Sequence, residues 1–294
     1  MQDALFRANS TDGAIRIFVA VTTELVNKAQ KIHNTYPTAT AALGRTLTIS
    51  AIIGAGMKND TDSATIQFKG DGPLGSIVAV CDNKAHVRGY VVNPQCDIER
   101  KPNGKLDVGG AVGKGFLNVI KDLGLKEPYC GQVPIVTGEI AEDLTYYFAS
   151  SEQIPTAISL GVLVNPDMSV KCAGGFMLQL MPEASEETAA ILEEKMKTLP
   201  SFTTMLEDGM SPEDILFTVT EGFDMIMENK PVIPAYECKC SRSRMEKALI
   251  SIGKEELEAL IKEQGSAELA CQFCDNKYTF GKSELEKLLK QVKR

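Results

Sequence analysis

The sequence contains no long hydrophobic run. No apolar stretch reaches the roughly 18 residues that a membrane-spanning helix needs. The N-terminus, with Asp3 and Arg7 among a few apolar residues, has no hydrophobic signal-peptide core. We therefore expect a cytoplasmic protein with no membrane partner. In that reducing compartment, cysteines are more often metal ligands, redox groups or small core residues than permanent disulfides.

The sequence also lacks the basic excess that is typical of nucleic-acid-binding proteins. Its net charge is −8, which argues against a DNA or RNA partner. The acidity is concentrated in residues 183–230, where twelve carboxylates stand against three lysines, whereas residues 238–294 have a small basic excess. Seven of the eleven methionines lie in residues 177–227. The chain therefore changes character twice, and prolines stand near both places.

These changes predict three parts: an α+β core domain at 1–182, an acidic, methionine-rich helical linker at 183–231, and a small α+β unit at 232–294. In the core domain, short β-rich runs between tight turns favour a mainly antiparallel sheet with packed helices over βαβ crossovers. The predicted helices there are 23–32, 38–54 and 142–152, and the predicted strands are 14–21, 64–69, 76–82, 87–92, 115–121, 133–139, 158–164 and 172–181.

Histidine is scarce in this sequence. The two histidines, His33 and His86, have no cysteine or carboxylate at ligand spacing, and no Ser/His/Asp constellation can be assembled. Gly113-Lys114 resembles part of a P-loop, but Gly115 stands where that motif needs Ser or Thr. We therefore expect that the protein is not an enzyme and binds no nucleotide cofactor. Four scattered cysteines are expected to be small buried residues: Cys81, Cys96, Cys130 and Cys172.

The remaining four cysteines form two close pairs, Cys238-Lys239-Cys240 and Cys271-Gln272-Phe273-Cys274. A pair at i, i+2 on an extended strand, or at i, i+3 around a tight turn, points both sulfurs to one side. Four thiolates suit tetrahedral zinc with Zn–S distances of about 2.3 Å. The sequence therefore predicts that Cys238, Cys240, Cys271 and Cys274 bind one zinc ion.

The unit around these cysteines has few large apolar residues, so metal must supply part of its stability. We predict a helix with a capping box of Ser243 and Glu246, a second helix at 254–264, a hairpin at 269–280 and a last helix from Ser283. Four basic residues are expected to favour thiolate character at the cluster: Lys239, Arg242, Arg244 and Lys277.

The cysteine spacing leaves the purpose of the metal open. Zinc-bound sulfurs lie about 3.8 Å apart, whereas disulfide sulfurs lie about 2.05 Å apart, so metal and disulfide exclude each other. The site is then either a permanent structural zinc or a redox switch. A thiol–disulfide oxidoreductase would explain the second pair but lacks the strand-to-helix context of thioredoxin-like enzymes. A zinc-ribbon nucleic-acid binder would not explain the acidic linker.

The cysteine motifs, together with blocks elsewhere in the chain, resemble the sequence of a known family. Cys-Lys-Cys-Ser-Arg-Ser-Arg from Cys238 and the later C-x-x-C resemble the C-terminal signature of the redox-regulated heat-shock chaperone family called the thirty-three-kilodalton chaperonin. Matching blocks cover nearly the whole chain, with no departure at the four cysteines. The other blocks are Phe68-Lys69-Gly70-Asp71-Gly72-Pro73-Leu74-Gly75, Arg88-Gly89-Tyr90-Val91, Gly138-Glu139-Ile140-Ala141-Glu142-Asp143 and Ala173-Gly174-Gly175-Phe176.

The resemblance implies an ATP-independent holdase that is inactive when reduced and zinc-bound. It implies that oxidation pairs Cys238 with Cys240 and Cys271 with Cys274, expels zinc, unfolds the C-terminal unit and loosens the linker. Unfolding client proteins are the implied partners, and the oxidised form is expected to be a homodimer. We further expect the methionines of the linker to contribute to the client-binding surface. These include Met205, Met225 and Met227.

Overall fold

The computed structural model describes residues 2–228 and 230–292. The chain divides into two compact units, Met1–Glu237 and Cys238–Arg294. The predicted division into core, linker and C-terminal unit stays a prediction, because the core and linker boundaries both fall inside the first unit. The predicted parts also include Met1, Asn229, Lys293 and Arg294, which lie outside the described residues.

The elements follow the chain in a mixed α+β order. The strands are β1 (Ala4–Ser10), β2 (Ile15–Val21), β3 (Ser63–Gly70), β4 (Ser76–Asp82), β5 (His86–Val91), β6 (Gly115–Asp122), β7 (Tyr129–Pro134), β8 (Thr156–Val164), β9 (Val170–Leu180), β10 (Met225–Met227), β11 (Ala235–Tyr236), β12 (Ser266–Ala270) and β13 (Lys277–Gly281). The helices are α1 (Thr23–His33), α2 (Pro37–Ala55), α3 (Val108–Val112), α4 (Ile140–Tyr147) with a π-helical turn at Phe148–Glu152, α5 (Glu186–Thr198), α6 (Phe202–Glu207), α7 (Pro212–Val219), α8 (Arg242–Ser251), α9 (Lys254–Glu263) and α10 (Lys282–Leu289).

Two sheets build the first unit. Sheet A has the order β10-β1-β2-β9-β8 and is antiparallel throughout. Sheet B has the order β11-β5-β4-β3-β6-β7, and its pairs are antiparallel except for the parallel pair of β11 and β5. The expected α+β fold with mainly antiparallel pairing is therefore confirmed. Among the described residues, no helix has the length and apolar character needed to span a membrane.

Helix α2 is the centre of the main core. It packs on β4 and β5 of sheet B and on β8 and β9 of sheet A, and nearly all of its residues from Thr38 to Ala55 are buried. Small residues allow this close approach. The buried hydroxyls of Thr46, Thr48 and Ser50 donate to carbonyls one turn earlier at 2.7–2.8 Å, so the helix buries no unpaired hydroxyl at these positions.

The linker helices cover the other face of sheet A. Successive residues of a strand point to opposite faces, so Phe18 and Ala20 enter the core around α2, whereas Ile17 and Val19 face the second apolar cluster. Helix α6 packs on β8 and β9, and α7 packs on β1 and β2. Their buried contributions to this cluster, together with that of α5, are Leu192, Phe202, Met205, Ile215, Leu216 and Val219.

Some predicted elements were placed wrongly or missed. The predicted strand at 133–139 is wrong, because β7 ends at Pro134. The buried carboxylate of Asp143 accepts from the backbone N–H groups of Val136, Thr137 and Gly138 at 2.8, 3.0 and 2.9 Å, which turns the chain into α4. Strands β1, β10 and β11 and helices α3 and α6 were not predicted. The other core strands lie within about two residues of their predicted positions.

The second unit is a hairpin of β12 and β13 with helices α8, α9 and α10. Its described core is small, with six buried apolar residues. The predicted cap of α8 is wrong: the N-cap is Ser241, whose hydroxyl accepts from the Arg244 N–H at 3.3 Å. The buried core residues are Leu249, Leu257, Ala267, Phe280, Leu285 and Leu288.

Candidate metal centre

The four paired cysteines meet in the second unit. The sulfurs of Cys238, Cys240, Cys271 and Cys274 all lie within 4.8 Å of one another. The Sγ atoms of Cys238 and Cys271 are 3.7 Å apart, and those of Cys240 and Cys274 are 3.4 Å apart. All four thiols are free. The sequence prediction that the two pairs come together is therefore met.

A tight turn positions the second pair between β12 and β13. The carbonyl of Cys271 accepts from the backbone N–H groups of Cys274 at 3.2 Å and Asp275 at 2.8 Å, and Cys271 N–H donates to the Asn276 carbonyl at 2.9 Å. Asp275 closes the turn in the left-handed region, with φ of 57°, which Asp tolerates better than most residues. Both sulfurs thus point to the same side of the hairpin end.

The first pair lies in an irregular segment between β11 and α8. No strand includes Cys238 or Cys240, so the expected extended strand at this pair is not formed. The backbone N–H of Cys240 hydrogen-bonds to the sulfur of Cys238. The Ser241 cap then starts α8 directly after Cys240, which fixes where the segment ends.

Tyr278 of β13 contacts the cluster. Its hydroxyl lies 3.1 Å from the Sγ of Cys240. Burial raises the pKa of Cys240, but hydrogen bonds from Tyr278 and from the other three cysteines outweigh it and lower that pKa to about 7. The same contact with Cys240 raises the pKa of Tyr278 to about 12. Burial also raises the pKa values of Cys238 and Cys274.

Two of the four basic residues expected to act on the cluster have other partners. Arg242 donates to the Glu284 carboxylate at 2.7 Å and lies 4.3 Å from the centre of the Phe280 ring. Lys277 pairs with Glu268 at 2.8 Å. Arg242 and Lys277 therefore pair with neighbouring elements of the second unit, and the hydroxyl of Tyr278 is a polar side-chain contact to sulfur that the sequence did not reveal.

The donor set fits a tetrahedral metal. Zn–S bonds of about 2.3 Å place sulfurs about 3.8 Å apart, close to the 3.7 Å between Cys238 and Cys271 and the 3.4 Å between Cys240 and Cys274. Within the described part of the chain, these cysteines are the one group of three or more His, Cys, Asp or Glu side chains that could hold a metal ion.

The four scattered cysteines lie outside this group. Cys81 and Cys96 are buried, as expected, whereas Cys172 is half-buried and Cys130 is exposed.

Comparison with known proteins gives the family. The family model described as Hsp33 protein matches residues 3–281. The chain belongs to the Hsp33 family. It is 51% identical over 294 residues to the 33 kDa chaperonin of Clostridioides difficile, covering 99% of this chain and 100% of that protein. It is 49% identical over 293 residues to the 33 kDa chaperonin of Desulforamulus reducens, covering 99% of each.

A solved Hsp33 structure has the same fold. The crystal structure of the 33 kDa chaperonin from Thermotoga maritima matches with a TM-score of 0.91 at 38% identity, covering 99% of each chain. The sequence resemblance to this family is therefore confirmed. Hsp33 is a chaperone family, and the cysteine cluster of this member is able to hold a metal ion.

Proposed function

We propose that this chain is a redox-regulated, ATP-independent holdase that is inactive while its four clustered cysteines bind one zinc ion. The observation that carries the proposal is a set of four reduced sulfurs, all within 4.8 Å of one another, in a unit with only a small described core. Zinc bound by four thiolates supplies a structural cross-link, on the order of 10–16 kcal/mol in apparent binding free energy. Losing it removes the main stabilisation of the unit.

Oxidation by peroxide would remove the thiolates. One thiolate attacks an oxygen of hydrogen peroxide: an S–O bond forms, the O–O bond breaks, and hydroxide leaves and is protonated to water. A second thiolate attacks the resulting sulfenic sulfur: an S–S bond forms, the S–O bond breaks, and another hydroxide leaves. Forming each disulfide therefore consumes one peroxide, which takes two electrons from the two thiolates.

We assign the disulfides to Cys238–Cys240 and Cys271–Cys274, as the family resemblance implies. In the reduced cluster, sulfurs of different pairs lie as close as 3.7 Å (Cys238 and Cys271) and 3.4 Å (Cys240 and Cys274), so proximity in the folded state does not by itself select the partners. The short sequence separation within each pair favours these two disulfides. Once the unit has lost its metal and opened, short loops close at the lowest entropy cost. Peptide mapping of the oxidised protein checks the assignment.

The linker would then leave sheet A and expose a surface for unfolding clients. Helix α5 is weakly attached, since Leu192 is its one buried residue in the described structure. A largely apolar cavity of about 680 Å³ lies between α5 and sheet A, lined by residues that include Ile158, Leu178 and Met196. The acidic charge of the linker would keep the open form soluble. We expect the oxidised form to be a homodimer acting in the cytoplasm.

The deciding experiment follows zinc and chaperone activity together. Reduced, zinc-loaded protein is treated with hydrogen peroxide, and zinc release is measured with a chromogenic chelator beside suppression of aggregation of a thermally unfolding client. We expect both to appear with the same dependence on oxidation, without ATP, and to be reversed by a dithiol and zinc. Client protection with zinc still bound would refute the switch.

A further inference from the structure

The hydroxyl of Tyr278 is placed to act on one sulfur of the cluster. Its oxygen lies 3.1 Å from the Sγ of Cys240. Cys238 and Cys274 accept instead from backbone N–H groups, those of Cys240 and Asn276. Cys240 thus has a side-chain partner that can be removed without changing the backbone.

Zinc ligation would also fix which group donates. A cysteine that ligates zinc is a thiolate and has no proton to give. The tyrosine hydroxyl must therefore donate, and the Sγ of Cys240 accepts. The ring is held in position by strand pairing, because Tyr278 on β13 lies opposite Leu269 on β12, and the neighbouring pair of Lys277 and Glu268 joins the same two strands.

We propose that Tyr278 is a positioning residue of the redox switch: by donating to the Sγ of Cys240, its hydroxyl slows attack of that sulfur on peroxide and raises the oxidant level at which the switch opens. This inference rests on the proposed function. The affected step is formation of the S–O bond as the O–O bond of hydrogen peroxide breaks and hydroxide leaves as water. The electron pair comes from the Cys240 sulfur.

A hydrogen bond slows this step because it draws electron density from the attacking sulfur. Thiolate nucleophilicity falls with basicity, with a Brønsted coefficient of about 0.4–0.5. A free thiol offsets that loss by being ionised more often, but metal-bound sulfurs are all thiolates already. At a zinc-bound sulfur, the hydrogen bond therefore acts only by lowering nucleophilicity. Removing the hydroxyl should therefore accelerate the reaction of Cys240 by roughly threefold to tenfold.

The test compares Tyr278→Phe with the wild type and with Tyr146→Phe. Phenylalanine keeps the ring and the strand, and Tyr146 is an exposed tyrosine of the first unit. Peroxide-driven zinc release is followed in zinc-loaded protein, and sulfenic acid at Cys240 is trapped with dimedone and quantified by mass spectrometry. We expect Tyr278→Phe to release zinc at least threefold faster, with more trapping at Cys240, and Tyr146→Phe to match the wild type.

A chelator competition without oxidant separates this role from a merely structural one. Loss of the hydrogen bond should leave zinc retention unchanged or stronger, since the Cys240 sulfur becomes the better donor. Faster zinc loss without peroxide would overturn the inference, as would an unchanged peroxide rate. If the wild type itself keeps its zinc in peroxide, the proposed function fails; if only the variant's acceleration is missing, this inference alone fails.

Discussion

Cys271 is the most deeply buried of the four clustered thiols, with 5% of its surface exposed, and its carbonyl also closes the turn that carries Cys274. We expect Cys271→Ser to lose most of its zinc, because a serine hydroxyl is a poor replacement for a thiolate ligand. Helices α8–α10 should then lose protection from hydrogen exchange. Zinc content per chain and exchange mass spectrometry measure both effects.

Cys130→Ser is the matched control for this prediction. Cys130 is exposed on β7 and lies outside the cluster, so the variant should keep its zinc and the protection of the second unit. Full zinc occupancy in Cys271→Ser would contradict the assignment of this residue as a ligand.

At the scale of residues, the cysteine spacing predicted the cluster, but the sequence did not predict the contact of Tyr278 or the cap of α8. Two cysteines at i, i+2 and two at i, i+3 are local patterns with a direct geometric meaning. Tyr278 reads as an ordinary strand residue, because its partner Cys240 lies 38 positions earlier and only folding brings them together. The cap of α8 was misplaced by two residues since Ser241 and Ser243 both suit an N-cap, and backbone geometry decides between them.

Helix α7 is the best-capped element of the linker. The Ser211 hydroxyl accepts from the Asp214 N–H at 3.1 Å, and the Asp214 carboxylate accepts from the Ser211 N–H at 2.9 Å. Ser211→Ala should destabilise this helix by about 1 kcal/mol. We expect faster hydrogen exchange at Pro212–Val219 and linker opening at a lower degree of oxidation.

Ser211→Asn tests the same contact conservatively. An asparagine oxygen can replace the hydroxyl as cap acceptor, so this variant should exchange at nearly the wild-type rate. Equal protection of α7 in Ser211→Ala and the wild type would show that the cap does not limit its opening.

The methionines of the linker differ in burial, and so in what their replacement would test. Met205 is buried between α6 and sheet A, so a polar residue there would loosen the linker by itself. Met225 and Met227 are half-buried on β10, and their exchange for glutamine perturbs the resting state less. In the oxidised double variant Met225→Gln/Met227→Gln, we expect weaker suppression of client aggregation with unchanged zinc release.

Met168→Gln serves as the control for that variant, because Met168 is exposed in the turn between β8 and β9. It should protect clients as well as the wild type does. Undiminished protection by the double variant would remove β10 from the client surface.

At the scale of elements, a long apolar run and clear alternation predicted well, and mixed patterns did not. The apolar run that becomes α2 and the alternating runs of β3 and β4 carry their structure locally. Strand β1 mixes apolar and polar residues and becomes a strand because β2 and β10 pair with it. The error at 133–139 arose because Asp143, seven residues after Val136, redirects an apolar, β-branched stretch.

At the scale of the whole molecule, β11 is the last strand of the first unit before the cysteine cluster, and it is held by pairing with β5. Tyr236 is buried, and its hydroxyl donates to the Gly89 carbonyl at 2.8 Å and contacts His33 Nε2 at 3.0 Å. Lys28 donates to the Tyr236 carbonyl at 3.0 Å, and the Glu237 N–H donates to the Val87 carbonyl at 2.8 Å. These bonds hold a strand of only two residues on the edge of sheet B.

We therefore expect oxidation to unfold the chain after residue 237 while β11 stays paired. Hydrogen exchange of the oxidised wild type should show loss of protection in residues 242–289 with protection kept at 235–237. In Tyr236→Phe, the lost hydroxyl should cost on the order of 1 kcal/mol, and β11 should then exchange faster after oxidation. Early loss of β11 in the wild type would contradict this order.

If β11 remains paired, reassembly of the zinc site after reduction involves only the chain that follows this strand. The roughly 60 residues beyond β11 would form a tail with a root-mean-square end-to-end distance of about 40 Å. All four thiols would stay within that radius after reduction, at the high effective concentration of a tethered chain. Zinc could then reassemble the cluster within one chain, without help from a second molecule.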